Sequence, residues 1–282
     1  MPAVLGTNVA SLWASKNLQT AQSNMANSVE RLSSGLRINR ARDDAAGMGI
    51  ANALTQQINS ADQGIRNLND GISIVQTAEG ALAQATEMAQ RILALSIQGQ
   101  SSALSSTQKA SITTEMRSML DGINAIQTRT KFGGNTTALF NGSSISVYSS
   151  KETLDTISIT SAALTTMGTA TGGLAVTLSG AVTTTASSAG DFQAISTAAS
   201  TYIDSITTQR GTLGATQNQM EYSVNNITEL SANLTSARSR IVDTDYATET
   251  AKLTKGQILQ QAATAMLAQA NQMPNVILSL LK

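Results

Sequence analysis

Apolar residues along most of this chain recur in steps of four and three, the spacing that gathers them on one stripe of a helix. From Leu54 the stripe runs through Ile58, Ala61, Ile65, Leu68, Ile72 and Val75. Glu79 interrupts it, and Leu82, Ala89, Ile92 and Leu95 carry it on. A helix over 45–98 follows, roughly 80 Å long at ~1.5 Å per residue. Ile112, Met116, Met119, Ile123 and Ile126 repeat the pattern and predict a second helix over 106–130. The small polar residues of 99–105 read as the turn between the two. Met220, Val224, Ile227, Leu230, Leu234, Ala237 and Ile241 form a third stripe. Three such seams predict a long antiparallel coiled-coil bundle with the stripes as its core. Prolines stand only at Pro2 and Pro274, so no ring interrupts these helices.

The middle of the chain changes period. Residues 141–190 are rich in Ser and Thr and carry only three charges, Lys151, Glu152 and Asp155. Alternating runs at 144–148, 156–159 and 174–178 predict short strands, with Asn141-Gly142 and Gly172-Gly173 as turns between them. This stretch holds too little apolar mass to fold alone, so a small β-hairpin region carried on the bundle is expected. A Ser/Thr tract of this kind suits either O-linked sugars or a plain solvated loop.

The two ends share a different chemistry. Residues 1–29 carry one charge, Lys16, and none lies between Lys255 and Lys282. Leu18, Met25 and Leu32 step by seven, and Ile258, Met266 and Leu280 mark a thin stripe at the other end. Helices so sparsely apolar and so uncharged are expected to pair with each other and with copies of themselves. These six residues form the expected assembly seam. Between the first helix and the long one, Ser33, Ser34 and Gly35 break the helical pattern, and Arg37, Arg40, Arg42, Asp43 and Asp44 follow as a charged hinge. The aspartates suit the first turn of the next helix.

Composition narrows the function. Hydrophobic residues are 41% of the chain but aromatics only 3%, which fits a mainly α core of Leu, Ile, Val, Ala and Met. Lys+Arg 18 balances Asp+Glu 18, so there is no electrostatic footprint for nucleic acid or an anionic membrane. There is no histidine and no cysteine. Disulfides, thiol nucleophiles, imidazole ligands and the commonest general base are therefore excluded. An enzyme is not expected, and no catalytic, cofactor-binding or metal-binding residues stand out. No run approaches the ~18 consecutive apolar residues of a membrane span, and the start lacks the apolar core of a secretory signal.

Several long runs carry a family resemblance. Residues 31–47, RLSSGLRINRARDDAAG, resemble the N-terminal signature of bacterial flagellin, with 17–19 (NLQ) and 30–32 (ERL) ahead of it. Residues 234–249 (LTSARSRIVDTDYATE), 257–262 (QILQQA), 267–272 (LAQANQ) and 278–282 (LSLLK) resemble its C-terminal signature. Arg210, 213–215 (LGA) and 217–218 (QN) are similar to its third helix. The resemblance spans roughly 1–140 and 190–282.

It implies a structural subunit that self-assembles into the flagellar filament, with no cofactor. Export would be in the unfolded state through the flagellar type III secretion channel, to an extracellular place in the filament, without a cleaved signal. Residues 1–43 plus 243–282 would be terminal helices of the inner filament core, and 44–140 plus 190–242 the helical bundle. Residues 141–189 would be a reduced outer domain. Implied partners are other copies, an export chaperone, and cap and hook-junction proteins. A vertebrate innate receptor is also implied, through Gln90, Arg91, Leu95, Gln98 and Glu115, although Leu93 and Ala94 stand where the family motif has a basic and an acidic residue. The alternative is a minor axial component such as a hook–filament junction protein.

Overall fold

Capping groups mark several of the helix ends in this chain. The computed structural model describes residues 8–132, 139–140, 142–149, 155–160 and 188–280, with side chains of the last helix described up to Gln272. The elements are α1 (Val9–Ser34), α2 (Ala45–Gly99), α3 (Ser106–Arg129), β1 (Ser144–Tyr148), β2 (Thr156–Thr160), α4 (Ala189–Val242) and α5 (Tyr246–Leu280). Asn8 opens α1 by accepting the Ser11 N–H at 3.1 Å. Gly35 closes it in the left-handed conformation, φ 71°, which a β-carbon would strain. Ser105 and Gln108 form a reciprocal capping box at the start of α3.

The chain forms two compact units, residues 1–58 with 232–282, and residues 59–231. The divisions fall inside α2 and α4, whereas the helices themselves break at 35–44 and 243–245.

The unit of 59–231 owns a contiguous core. α2 contributes Leu68, Val75, Leu82, Ala89, Ile92 and Leu95, and α3 contributes Ile112, Met116 and Ile123. α4 contributes Phe192, Ile195, Ala199, Tyr202, Ile206, Leu213, Met220 and Ile227, in steps of three, four and seven. Arg91 on α2 meets Glu115 on α3, and Met88 lies against Gly122, so α2 and α3 run antiparallel. Along α2 and α4 the meeting pairs are Gly99 with Phe192, Glu79 with Arg210, Gly71 with Met220 and Asp62 with Ser231. That order makes this pairing antiparallel too. The stripe read from the sequence begins only at Met220, yet α4 begins at Ala189 and its buried seam at Phe192. Leu230 belongs to that stripe by spacing but is 48% exposed, because the core ends at Ile227.

β1 and β2 pair antiparallel with Ile145 opposite Ile159 and Val147 opposite Ile157. Alternation therefore puts all four apolar residues on one face, and Val147, Ile157 and Ile159 are buried. The turn expected at Asn141-Gly142 cannot join the two strands, since both residues precede β1 in the chain and β2 follows it after residues 149–155. The Ser149 N–H and hydroxyl both donate to the Asp155 carbonyl, at 3.0 and 2.9 Å, closing a wider loop than a two-residue turn. The strand expected at 174–178 and the Gly172-Gly173 turn lie outside the described residues.

Small residues seat the hairpin on its helix. A β-carbon on Gly64 would fall inside the Ser149 carbonyl, and one on Gly71 would stand 3.0 Å from a Val147 methyl. Between them, Asn67 donates its side-chain amide to the Tyr148 carbonyl at 3.0 Å. On α4, Gln209 donates to the Thr160 carbonyl at 2.6 Å.

One core group is paired with nothing among the described residues. Tyr202 is 1% exposed and its hydroxyl has no hydrogen-bond partner. Burial also pushes its phenol well above the ordinary tyrosine range. An unpaired buried hydroxyl costs more than the ring gains from carrying it. Tyr202→Phe is therefore expected to stabilise the unit by about 1 kcal/mol, read as a higher urea midpoint. A lower midpoint would mean that the hydroxyl is bonded in solution.

Candidate self-assembly surface

The unit of 1–58 and 232–282 is built on a two-helix pair. The Asn8 side-chain amide donates to the Ala270 carbonyl at 2.7 Å, and the Ser11 hydroxyl to Asn271 at 2.9 Å. Further along, Met25 lies against Gly256, and the Ser28 hydroxyl donates to Glu249 at 2.7 Å. α1 and α5 are thus antiparallel neighbours over most of their length.

The two helix breaks are tied to each other. Leu36 and Asp243 form an antiparallel bridge, the Arg37 N–H donates to the Val242 carbonyl at 2.6 Å, and the Thr244 N–H to the Gly35 carbonyl at 2.9 Å. The Arg37 guanidinium reaches the Ile241 carbonyl. Arg40 pairs with Glu30 at 2.8 Å, and Arg42 with Asp43 at 3.7 Å. Asp43 sits before α2, not in its first turn, and accepts the Arg40 and Asn39 N–H groups. The Arg40 bond, with Asn39 and the nearby arginines, holds its carboxyl below the ordinary aspartate value although desolvation opposes it. Asp44 immediately precedes α2 and accepts the Gly47 N–H at 2.8 Å. All eight residues expected as a hinge, Ser33, Ser34 and Gly35 included, lie within this one unit.

The expected seam residues separate into two kinds. Leu18, Met25 and Leu32 are half-buried, whereas Ile258 and Met266 are 60% and 65% exposed. The side chain of Leu280 lies outside the described residues. Val29 and Leu259, which continue the spacing of the two stripes, are also exposed, and so are Leu12 and Trp13, which spacing does not single out. What marks them is the lack of charge around them, with Lys16 alone on the first helix before Glu30. Lys16 stands over the Trp13 ring, 5.4 Å from its centroid. A groove lined by Trp13, Ala14, Ala21, Leu259, Ala263 and Met266 runs between the two helices.

This unit hides very little apolar surface. Among its described residues the buried hydrophobics are Ala21, Ile38, Ala51, Val242 and Ala270, three of them alanines. At roughly 25 cal/mol per Å² of apolar area, such a set is a weak core for helices of this length. An open apolar face beside a thin core is the signature of an element completed by another chain.

The second expected patch lies in the other unit. Arg91 donates twice to one Glu115 oxygen, at 3.0 and 2.7 Å. Gln90, Arg91 and Gln98 are exposed, but Leu95 is 2% exposed within the core and is absent from that surface. Its heptad position on α2 explains why. The described residues contain no cluster of three metal-ligating groups and no helix long and apolar enough to cross a membrane.

The family model of the bacterial flagellin N-terminal helical region matches residues 5–144, and that of the C-terminal helical region matches residues 196–281. The chain is 36% identical to a flagellin of Bacillus subtilis over 302 residues, covering 98% of each chain. It is 35% identical to a flagellin of Halalkalibacterium halodurans over 283 residues, covering 99% of this chain and all of the other. The fold is similar to that of a putative flagellar hook-associated protein from Vibrio parahaemolyticus, with a TM-score of 0.62 and 12% identity over 71% of this chain and 100% of that one.

Proposed function

This chain belongs to the bacterial flagellin family, and from that premise we propose that α1 and α5 drive its assembly by burying their open face against other copies. It is a structural subunit of the flagellar filament. The observation that carries the proposal is the contrast between the units: one has its own core, while the other exposes Leu12, Trp13, Ile258 and Met266 beside five buried hydrophobic residues, three of them alanines, among those described. A face repeated head to tail gives an open helical polymer in place of a closed ring.

Within this reading, residues 1–43 and 243–282 form the inner filament core, with Leu18, Met25, Leu32, Ile258, Met266 and Leu280 at subunit contacts. Residues 44–140 and 190–242 form the outer bundle, and 141–189 a reduced outermost region. The run 33–44 is the hinge between inner and outer parts. The subunit leaves the cell unfolded through the flagellar export channel, handled by an export chaperone, and assembles outside between hook-junction and cap proteins. A thin core in the terminal unit favours this only for the two ends of the chain, which have little packing to undo before threading. Gln90, Arg91, Gln98 and Glu115 remain as the surface for an innate receptor.

Seeded polymerisation tests the proposal. Purified chain added to short filament fragments is expected to elongate them, and a chain lacking 243–282 is expected not to, by negative-stain microscopy. Growth from the truncated chain would overturn terminal-helix assembly. Failure of the full chain on filament seeds would instead favour a minor axial component.

A further inference from the structure

A sulfur atom stands in the middle of the open face. Met266 is 65% exposed and lines the same groove as Trp13, Leu259 and Ala263. The chain has no cysteine, so thioethers are its most oxidisable side chains. The other methionines described are sheltered: Met116 and Met220 are fully buried, and Met25, Met48, Met88 and Met119 are half-buried. Thioether oxidation follows exposure, so the described residues offer one preferred target.

We infer that Met266 is an oxidative modification site, at which a hydroperoxide reversibly blocks the subunit from entering the polymer. The inference rests on the proposed use of the α1–α5 face in assembly. In the reaction a lone pair on Sδ attacks one peroxide oxygen. With hydrogen peroxide the S–O bond forms as the O–O bond breaks, sulfur gives up two electrons, and the departing hydroxide takes the proton of the new S–OH group, leaving water and the sulfoxide. The product replaces a flexible apolar group with a polar, chiral sulfoxide beside Trp13 and Leu259. Covering that oxygen with another subunit's apolar side chains would strip its water without returning a donor. Thiol-dependent methionine sulfoxide reductases act on this lesion, which makes the block reversible. A subunit already in the polymer has the groove covered, so only unassembled chains are marked.

The test uses the full chain as monomer and as polymer, each treated with hydrogen peroxide. Fragmentation mass spectrometry locates the added oxygen and separates Met266 from Met273. Met266 is expected to oxidise about tenfold faster than Met116 or Met220 in the monomer, and slowly in the polymer. Seeded growth of the oxidised monomer is expected to fall about tenfold and to return after reductase treatment. Emission from Trp13, the one tryptophan of the chain, is expected to change with the same time course. Met266→Leu removes the oxidisable sulfur, so its seeded growth, whatever its starting rate, should be the same before and after peroxide.

Equal loss of growth in Met266→Leu, or equal oxidation of Met266 in monomer and polymer, would overturn the inference. Full oxidation of Met266 with unchanged growth would do the same while leaving terminal-helix assembly standing. Untreated chain that does not grow would instead count against the assembly reading itself. Reductase rescue of the parent chain decides the matter if Met266→Leu folds poorly.

Discussion

Gly64→Ala is expected to destabilise the bundle unit by about 3 kcal/mol, a fall of roughly 10 °C in its melting midpoint. Helix propensity alone argues the other way, since alanine is better than glycine in a helix interior by about 1 kcal/mol. Sterics wins because the added carbon meets a backbone carbonyl, that of Ser149, which cannot rotate aside as a side-chain tip does. The hairpin must lift, and Val147 and Ile157 lose their packing against the helices as it does. Gly80 supplies the control: it lies on the same helix with nothing within 4 Å of an added β-carbon. Gly80→Ala should therefore raise the midpoint slightly, as propensity demands. Thermal unfolding of both variants checks the pair, and a Gly64→Ala protein that melts with or above the parent refutes the close approach.

Glu249→Ala is the second large expected effect, a weakening of the α1–α5 pairing by about 2 kcal/mol at neutral pH. The carboxylate is 6% exposed, yet it accepts the Ser28 hydroxyl and faces Lys252 at 3.0 Å and Arg31 at 4.0 Å. Desolvation pushes its acidity toward the neutral form, but the Ser28 and Lys252 bonds and the charges of Lys252 and Arg31 outweigh it. The net result is a folded-state value below the ordinary 4.5. A depressed carboxyl contributes stability that is fully present above the unfolded value and is lost as pH falls through the folded one. Helix pairing followed by Trp13 emission should therefore weaken on acidification below about pH 4.5 in the parent. In Glu249→Ala the pairing should start weaker and lose less over that window. The slope that remains belongs to Asp43, held below its ordinary value chiefly by the Arg40 N–H, and to Asp245, held below its own chiefly by the Thr248 hydroxyl and N–H. An acid limb unchanged by the substitution would place the titration elsewhere.

Seams and breaks were legible in the sequence to different depths. The four-three spacing located α2 and α3 to within a residue or two of their ends, because an amphipathic stripe is a local property. The same spacing placed Leu230 inside when it is outside, since a stripe does not say where its partner helix ends. The first half of α4 packs through Ala199 and Tyr202 beside Phe192 and Ile195, a seam diluted with Ser and Thr that the pattern hides. The alternation at 144–148 and 156–159 gave both strands to within a residue of their ends, but which residues close the connection depends on the Ser149 bonds to the Asp155 carbonyl, which no spacing shows. At the terminal helices the low charge of the segments signalled an unsatisfied face. Which seam residues lie open was not readable, because Leu18 and Met266 look alike until α1 and α5 are set side by side. Leu95 shows the converse: a motif position carried over by resemblance can fall on the buried side of its helix.

The antiparallel pairing of α1 with α5 also orders the folding of the chain in time. Ser28 and Glu249 are separated by 221 residues, and Asn8 and Ala270 by 262. Contacts so remote are entropically slow to find from an open coil. Once α2 and α4 have zipped as far as Asp62 and Ser231, the loop between the ends has already been closed by a core that needs neither of them. The remaining search is then a short one, outward from Leu36 and Asp243. Synthesis delivers α5 after all the other helices, so α1 has no partner of its own until more than 200 further residues have been made. The sequence thereby builds a delay into its own open-faced first helix, whose pairing waits on residues 221 positions downstream.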